Sequence, residues 1–113
     1  MIDQLNTLIA GLKANTIRFN EVISYIESRY HHQPMAFKNG EIHNEATQNQ
    51  GSAKVFAFAK LHQLTEADTL YLFAEHYRAV LEHPDEADHQ NIRQFMAHGW
   101  AGIQFEGEAL SVK

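Results

Sequence analysis

Residues 52–64, SAKVFAFAKLHQL, decide the fold of this chain. Their apolar members are Val55, Phe56, Ala57, Phe58, Ala59 and Leu61. These side chains cover nearly the whole circumference of a helical wheel, which is typical of a helix that is buried on all sides. Ser52 is a residue type that caps helix N-termini. The segment therefore predicts a central helix over about 52–64, around which the rest of the chain packs.

Apolar residues at helical spacing predict four further helices. They run over about 2–13, about 19–29, from Thr65 to Pro84, and from Asp88 to Gly99. Thr65 and Asp68 have the spacing of a capping box, and Pro84 cannot continue a helix. Asp88 is placed to cap the last helix, which glycine at position 99 ends.

Two apolar segments outside the helices predict a small sheet. Residues 35–38 lead into Asn39-Gly40, a pair that favours the positive φ of a tight turn. In residues 103–110, apolar and polar side chains alternate over Ile103–Phe105, Glu106-Gly107 is typical of a turn, and Ala109-Leu110 can return as a second short strand. The prediction is a mainly α (α+β) fold of about five helices with a minor two- or three-stranded antiparallel sheet from about 35–38 and 103–110.

Length and composition narrow the function classes. The 113 residues fit a single domain over 1–113, and 44% hydrophobic content is typical of a globular protein. A net charge of −5, with no basic cluster, argues against a nucleic-acid partner. No apolar run approaches the ~20 residues that cross a bilayer, so no membrane insertion is expected. The stretch Met1–Gln4 lacks the basic start of a signal peptide, so cleavage is not expected.

Two polar segments are candidate binding sites. In Asp88–Arg93, a carboxylate, an imidazole and a guanidinium stand close together, which suits anion binding, although capping and core-edge packing explain the same residues. Gly51-Ser52 precedes a helix with Lys54 in its first turn, which also suits an anion, although the loop asparagines can tie the loop to itself. The candidate ligand-binding residues are Asn44, Asn49, Ser52, Lys54, Asp88, His89, Asn91, Arg93 and Trp100.

Metal and catalytic sites have weaker support. None of the eight histidines has the spacing of a zinc motif, so no metal ligand is assigned and no cofactor is predicted. The metal candidates that remain are His76, His83, Asp88 and His89. The chain has no cysteine and no Gly-x-Ser-x-Gly elbow, so no catalytic residue is assigned and a non-enzymatic role is favoured.

Three stretches together resemble the HopJ type III effector family. They are FKNG at 37–40, NEATQNQGSAKVFAFA at 44–59 and DHQNIRQFMAHGWAGI at 88–103. The resemblance spans nearly the whole chain. This chain departs from the family at Ala53, where members often carry cysteine, and at Thr47 and Ala74, where they often carry glycine.

The resemblance implies a small bacterial protein, in the bacterial cytoplasm or secreted through a type III system without a cleaved signal peptide. The partners it implies are a host protein or a secretion chaperone, and it brings no established catalytic residues. Two functions follow as hypotheses. One is a non-enzymatic, effector-like interaction protein of unknown molecular activity. The other is a small-ligand or anion-binding protein that uses a polar site around Lys54 and Asp88–Arg93, and this alternative includes an enzyme or a metal-binding protein.

Overall fold

The computed structural model describes residues 2–113, with side chains from Leu5 onward. Met1 lies outside the described residues. It is the first residue of the Met1–Gln4 stretch, in which no signal-peptide start was found. The described part of the chain forms six α-helices: α1 Ile2–Lys13, α2 Phe19–Arg29, α3 Gln50–Leu61, α4 Glu66–Tyr71, α5 Glu75–Glu82 and α6 Gln90–His98. It also forms five strands: β1 Tyr30–His32, β2 Phe37–Asn39, β3 Ile42–Asn44, β4 Ile103–Phe105 and β5 Leu110–Val112. A 3-10 helix, Gly99–Gly102, joins α6 to β4. The mainly α prediction with a minor sheet is confirmed.

Helix α3 lies at the centre of the core. Phe56 is 0% exposed, and its ring lies 5.0 Å from that of Phe95, 5.3 Å from that of Phe73 and 6.2 Å from that of Phe37. These aromatic contacts join α3 to α6, to the segment after α4 and to β2, so one buried helix holds three parts of the fold together. The central helix is confirmed.

The start of α3 differs from the prediction. The helix begins at Gln50, and its N-cap is Asn49, which has left-handed backbone angles of φ 53° and ψ 38°. Ser52 lies in the first turn rather than at the cap. Asparagine tolerates left-handed angles better than most residues, which allows the chain to enter the helix two residues earlier.

The sheet that positions the site has the order β3-β2-β4. Strands β2 and β3 form a hairpin in which Asn39 pairs with Ile42 around the predicted turn, and Gly40 has a φ of 59°. Strand β4 pairs with the other side of β2, with Asn39 opposite Ile103. The predicted pairing of the 35–38 region with the tail is confirmed for β2 and β4, whereas β3 was not predicted.

A second, two-stranded sheet pairs the end of the tail with a segment for which no strand was predicted. Strand β5 runs antiparallel to β1, with His32 opposite Leu110. The extended pair follows directly after α2, whose C-cap Tyr30 already has β backbone angles. Nothing in the local pattern of Tyr30–His32 distinguishes this strand from a loop, because the pairing partner is distant in sequence. None of the described helices is long and apolar enough to cross a membrane.

The prediction of one helix between Thr65 and Pro84 is wrong. Thr65 does cap α4, because its hydroxyl oxygen accepts a hydrogen bond from the Asp68 N–H at 3.1 Å. The helix then ends at Tyr71, and α5 starts after Ala74, which has φ 52° and ψ −123°. A side chain with a Cβ is strained at these angles, and glycine is not. The family resemblance marks the same position as a frequent glycine.

We therefore expect Ala74→Gly to stabilise the protein. Relief of the backbone strain outweighs the greater flexibility of glycine in the unfolded chain, for a net gain of about 1 kcal/mol in the free energy of unfolding. Urea denaturation measures this change. Ala10→Gly is the control, because Ala10 is exposed inside α1 and its replacement is expected to cost about 1 kcal/mol. A loss of stability in Ala74→Gly as large as that in the control would contradict the strain.

Candidate functional site

Three buried asparagines and the exposed Asn49 form a hydrogen-bond network beside the β2–β3 hairpin. Asn39, Asn44 and Asn91 are 0%, 1% and 7% exposed. Asn39 Nδ2 donates to the backbone oxygen of Asn91 at 2.7 Å and to Asn91 Oδ1 at 3.0 Å. Asn44 Nδ2 donates to the same Oδ1 at 3.1 Å, and Asn91 Nδ2 donates back to Asn44 Oδ1 at 3.1 Å. Asn49 Nδ2 completes the network with a 2.7 Å bond to Asn44 Oδ1.

This network fixes the relative positions of three elements. Asn39 and Asn44 belong to the hairpin, Asn91 lies in the first turn of α6, and Asn49 is the residue before α3. Buried amides need partners, since an unpaired one costs roughly 1–3 kcal/mol. The starts of α3 and α6 are therefore held against the same hairpin by hydrogen bonds without any charged group.

A cleft of about 400 Å³ opens where these two helices start. It is lined by Phe19, Ile42, Asn49, Gly51, Ser52, Phe73, His76, His89, Gln90, Asn91 and Ile92. One part of the wall is polar and consists of the first turns of α3 and α6. The other part is aromatic or aliphatic, and in it the Phe19 and Phe73 rings lie nearly parallel with centroids 6.0 Å apart.

Two imidazoles face each other at this cleft. The ring centroids of His76 and His89 are 5.1 Å apart, and the Phe19 ring contacts His76 edge-on at 4.8 Å. His76 lies in the first turn of α5, and His89 is the N-cap of α6 with left-handed angles of φ 52° and ψ 47°. Burial lowers the pKa of His76, and the neighbouring His89 and Arg18 lower it further, whereas Glu75 opposes them. The neutral form of the His76 imidazole is therefore favoured.

The carboxylates nearest to these histidines are bound to other groups. Asp88 Oδ1 accepts a 2.8 Å hydrogen bond from Arg93 Nη2, and this bond is the main reason that the pKa of Asp88 is lowered. Glu75 Oε1 accepts the backbone N–H of Phe19 at 2.8 Å, and its other oxygen lies 3.8 Å from Arg18. Among the described residues, no carboxylate lines the cleft.

The structure brings together some of the predicted ligand-binding residues. Asn49, Ser52, His89 and Asn91 line the cleft, and Asn44 lies behind them in the asparagine network. Asp88 does not cap α6, because the N-cap position belongs to His89. The reason is the hydrogen bond to Arg93, which turns the Asp88 side chain away from the helix start.

Lys54, Arg93 and Trp100 lie away from the cleft. Lys54 Nζ forms a 2.9 Å ion pair with Glu27. Arg93 donates to the backbone oxygens of His83 at 2.9 Å and Pro84 at 3.0 Å, in addition to its bonds with Asp88, and so organises the loop before α6. The Trp100 indole donates to the Leu64 backbone oxygen at 3.1 Å and packs on the core.

The four metal candidates do not converge. His83 lies 3.9 Å from Glu86, outside the cleft, and only His76 and His89 of the four are adjacent to each other in it. Among the described side chains, no group of three or more histidines and carboxylates could hold a metal ion.

Several residues of the site were not predicted. They are Phe19, Asn39, Ile42, Gly51, Phe73, Gln90 and Ile92. Gly51 and Gln90 flank predicted residues at two helix starts, so the local signal for them was present. Asn39 was interpreted only as a turn residue, since its buried contacts with Asn91 join positions 52 residues apart.

Comparison with known proteins identifies the family. A family model described as HopJ type III effector protein matches residues 5–110. The chain belongs to the HopJ type III effector family. This HopJ chain is also similar to a solved structure described as "Crystal structure of unknown function protein VPA0580", with a TM-score of 0.88 and 44% sequence identity over 96% of this chain and 92% of that chain. Among curated proteins, nothing matches the chain.

Asn91 is the amide on which the network of this HopJ protein depends most. We expect Asn91→Ala to lower the free energy of unfolding by about 3 kcal/mol, because it removes three side-chain hydrogen bonds and leaves buried amide groups of Asn39 and Asn44 with fewer partners. Urea denaturation measures the loss. Asn20→Ala, an exposed asparagine of α2, is the control and should change stability by no more than about 0.5 kcal/mol. Equal effects of the two substitutions would refute the role of the network.

Proposed function

We propose that this HopJ-family protein binds a small anionic ligand in the cleft at the starts of α3 and α6. The observation that carries the proposal is the composition of the cleft wall, which contains amides, a hydroxyl and two imidazoles, and no carboxylate among the described residues. The chain as a whole has a net charge of −5. A concave surface whose described lining contains no carboxylate repels an anion less than an acidic surface does.

The helix starts add favourable electrostatics. Neither α3 nor α6 has an acidic residue in its first turn, and neither N-cap side chain accepts a hydrogen bond from its helix. The first N–H groups of a helix are unsatisfied unless a cap, water or ligand accepts from them. Gly51, Ser52, Gln90 and Asn91 place two such turns on the cleft, where the positive ends of the two helix dipoles favour an anion.

The apolar wall supports an organic ligand. Phe19, Ile42, Phe73 and Ile92 line the cleft opposite the polar turns. Ligand sites of this size commonly combine an apolar wall with a few placed polar groups. The asparagine network keeps the polar side in place before the ligand arrives, which reduces the entropic cost of binding.

The proposed site differs from the alternative that the sequence left open, a site around Lys54 and Asp88–Arg93. Lys54 and Arg93 form ion pairs or backbone contacts elsewhere, so they are not part of the proposed site. The ligand is held by neutral donors and imidazoles in place of a guanidinium and an ammonium. A neutral site of this kind favours a ligand that is recognised by hydrogen bonds in addition to charge.

Substitutions at Gly51 can test the proposed anion site, because aspartate and asparagine have nearly the same shape and differ in charge. A Cβ at this position would lie 3.6 Å from the Phe19 ring, an ordinary contact, so a side chain fits. Gly51→Asp places a carboxylate at a helix start, where it does not destabilise the helix but repels an anion. We expect calorimetric titration with inorganic phosphate in constant chloride to show binding to the wild type, retained binding to Gly51→Asn and at least a tenfold loss for Gly51→Asp, which corresponds to about 1.4 kcal/mol. Equal binding of phosphate to both variants would rule out this site.

The family match favours a second function, that of an effector-like interaction protein. The matching family model is described as a type III effector protein, which supports secretion through a type III system and a host protein or secretion chaperone as partner. A reporter fused behind the full chain tests this function. Transfer of the reporter into host cells, dependent on an intact type III apparatus, is the expected result. No transfer under conditions in which an established effector passes would contradict it.

A further inference from the structure

His76 and His89 form a pair of imidazoles in the cleft. The two rings lie 5.1 Å apart at the cleft wall, one from α5 and one from the residue before α6. Both are titratable, and both lie in a cleft that also contains apolar rings. An imidazole can change its charge near neutral pH in response to small changes in its surroundings.

We propose that the anionic group of the ligand is the tetrahedral oxyanion of a phosphate monoester, which binds against His76 and His89 and is taken up together with a proton. This inference rests on the proposed function, because it names the chemistry of the ligand in the same cleft. The proton comes from solvent and is held on one of the two imidazoles while the anion is bound.

Proton uptake follows from the surroundings of the pair. In the free protein a second positive charge 5.1 Å from the first is unfavourable, so the two rings do not both carry a proton easily. An anion beside the rings offsets both this repulsion and the cost of burying an imidazolium. By linkage, an anion that favours the protonated form must bind more tightly as the pH falls.

The other charged groups near His76 and His89 do not take the place of the anion in stabilising a protonated imidazole. On His76 the relevant neighbours are Glu75, Arg18 and His89. Glu75 is already hydrogen-bonded to Phe19 and lies 3.8 Å from Arg18. Asp88 approaches His89 only to 3.9 Å, and its other oxygen is bound by Arg93. These carboxylates are paired in the free protein, so the incoming anion is the group that changes the charge at the two rings.

The shape of the site favours a tetrahedral anion with an organic substituent. His76 and His89 come from α5 and the residue before α6, whereas Ser52 belongs to the first turn of α3. A tetrahedral oxyanion presents acceptor oxygens in several directions, whereas a planar carboxylate presents two in one plane. Phe19 and Phe73 supply a surface for the substituent.

The test uses sulfate first, because it is tetrahedral and does not titrate near neutral pH. Calorimetric titration of the full chain between about pH 5.5 and about pH 7.5, in two buffers with different protonation enthalpies, measures affinity and proton uptake together. We expect the Kd for sulfate to fall by up to about tenfold for each unit by which the pH is lowered. We also expect the complex to take up between about 0.5 and 1 proton for each sulfate bound. His89→Asn should lose the pH dependence, and asparagine keeps the left-handed backbone of that position. His76→Asn should behave alike, and if it does not fold, His89→Asn decides the outcome.

His83→Asn is the matched control, because His83 lies outside the cleft and has an exposed side chain. It should retain the pH dependence of the wild type. Sulfate binding with the same Kd across the pH range overturns the inference and leaves the proposed function standing. No binding of sulfate or inorganic phosphate at any pH overturns both. Phenyl phosphate should bind more tightly than inorganic phosphate, and equal affinity would overturn the assignment to a phosphate monoester.

Discussion

The side-chain amide of Asn91 is the contact on which the arrangement of this protein depends. Its oxygen accepts hydrogen bonds from Asn39 at 3.0 Å and from Asn44 at 3.1 Å, and its nitrogen donates to Asn44. Because these amides are buried, the first turn of α6 has to sit against the β2–β3 hairpin for the Asn39 Nδ2, Asn44 and Asn91 side-chain groups to be paired, although Asn39 Oδ1 has no partner among the described residues. Asn49 extends the same constraint to the start of α3. The cleft is the space left between elements that this network fixes.

The backbone around the cleft is strained at three helix starts. Asn49, Ala74 and His89 precede α3, α5 and α6, and all three have positive φ without being glycine. Asparagine and histidine adopt the left-handed region more readily than most residues, so the strain is greatest at Ala74, whose angles lie outside it. At each position the chain enters a helix without a side-chain cap, so the first turns of α3 and α6 are left facing the cleft. The same backbone feature therefore links local strain, the network and the proposed binding surface.

The sequence was sufficient where the signal is local. The central helix, the Thr65 cap, the Asn39-Gly40 turn and the stop at Gly99 all follow from residue types within one or two turns of each other. The break at Ala74 was missed, because alanine is a good helix former and only tertiary packing imposes φ 52° on it. Strand β1 was missed because its partner β5 lies far along the chain, with His31 of β1 opposite Ser111 of β5.

The candidate site shows the same division. Ser52, Asn49, Asn91 and His89 were identified because they sit at helix starts rich in polar residues. Lys54 and Arg93 were grouped with them by charge, yet the structure pairs them with Glu27 and with the loop before α6. Phe19 and Phe73 come from two other parts of the chain and have no sequence signal beyond their apolar character. Which partner a charged side chain finds depends on the assembled fold, and spacing alone does not determine it.

The central claim, that an anion binds at the starts of α3 and α6, is tested most directly by two-dimensional ¹H–¹⁵N NMR during titration with inorganic phosphate. We predict that the largest shifts fall on the backbone amides of Gly51, Ser52, Gln90 and Asn91, which line the cleft. Shifts centred on Lys54 and Arg93, or none at saturating phosphate, would contradict it.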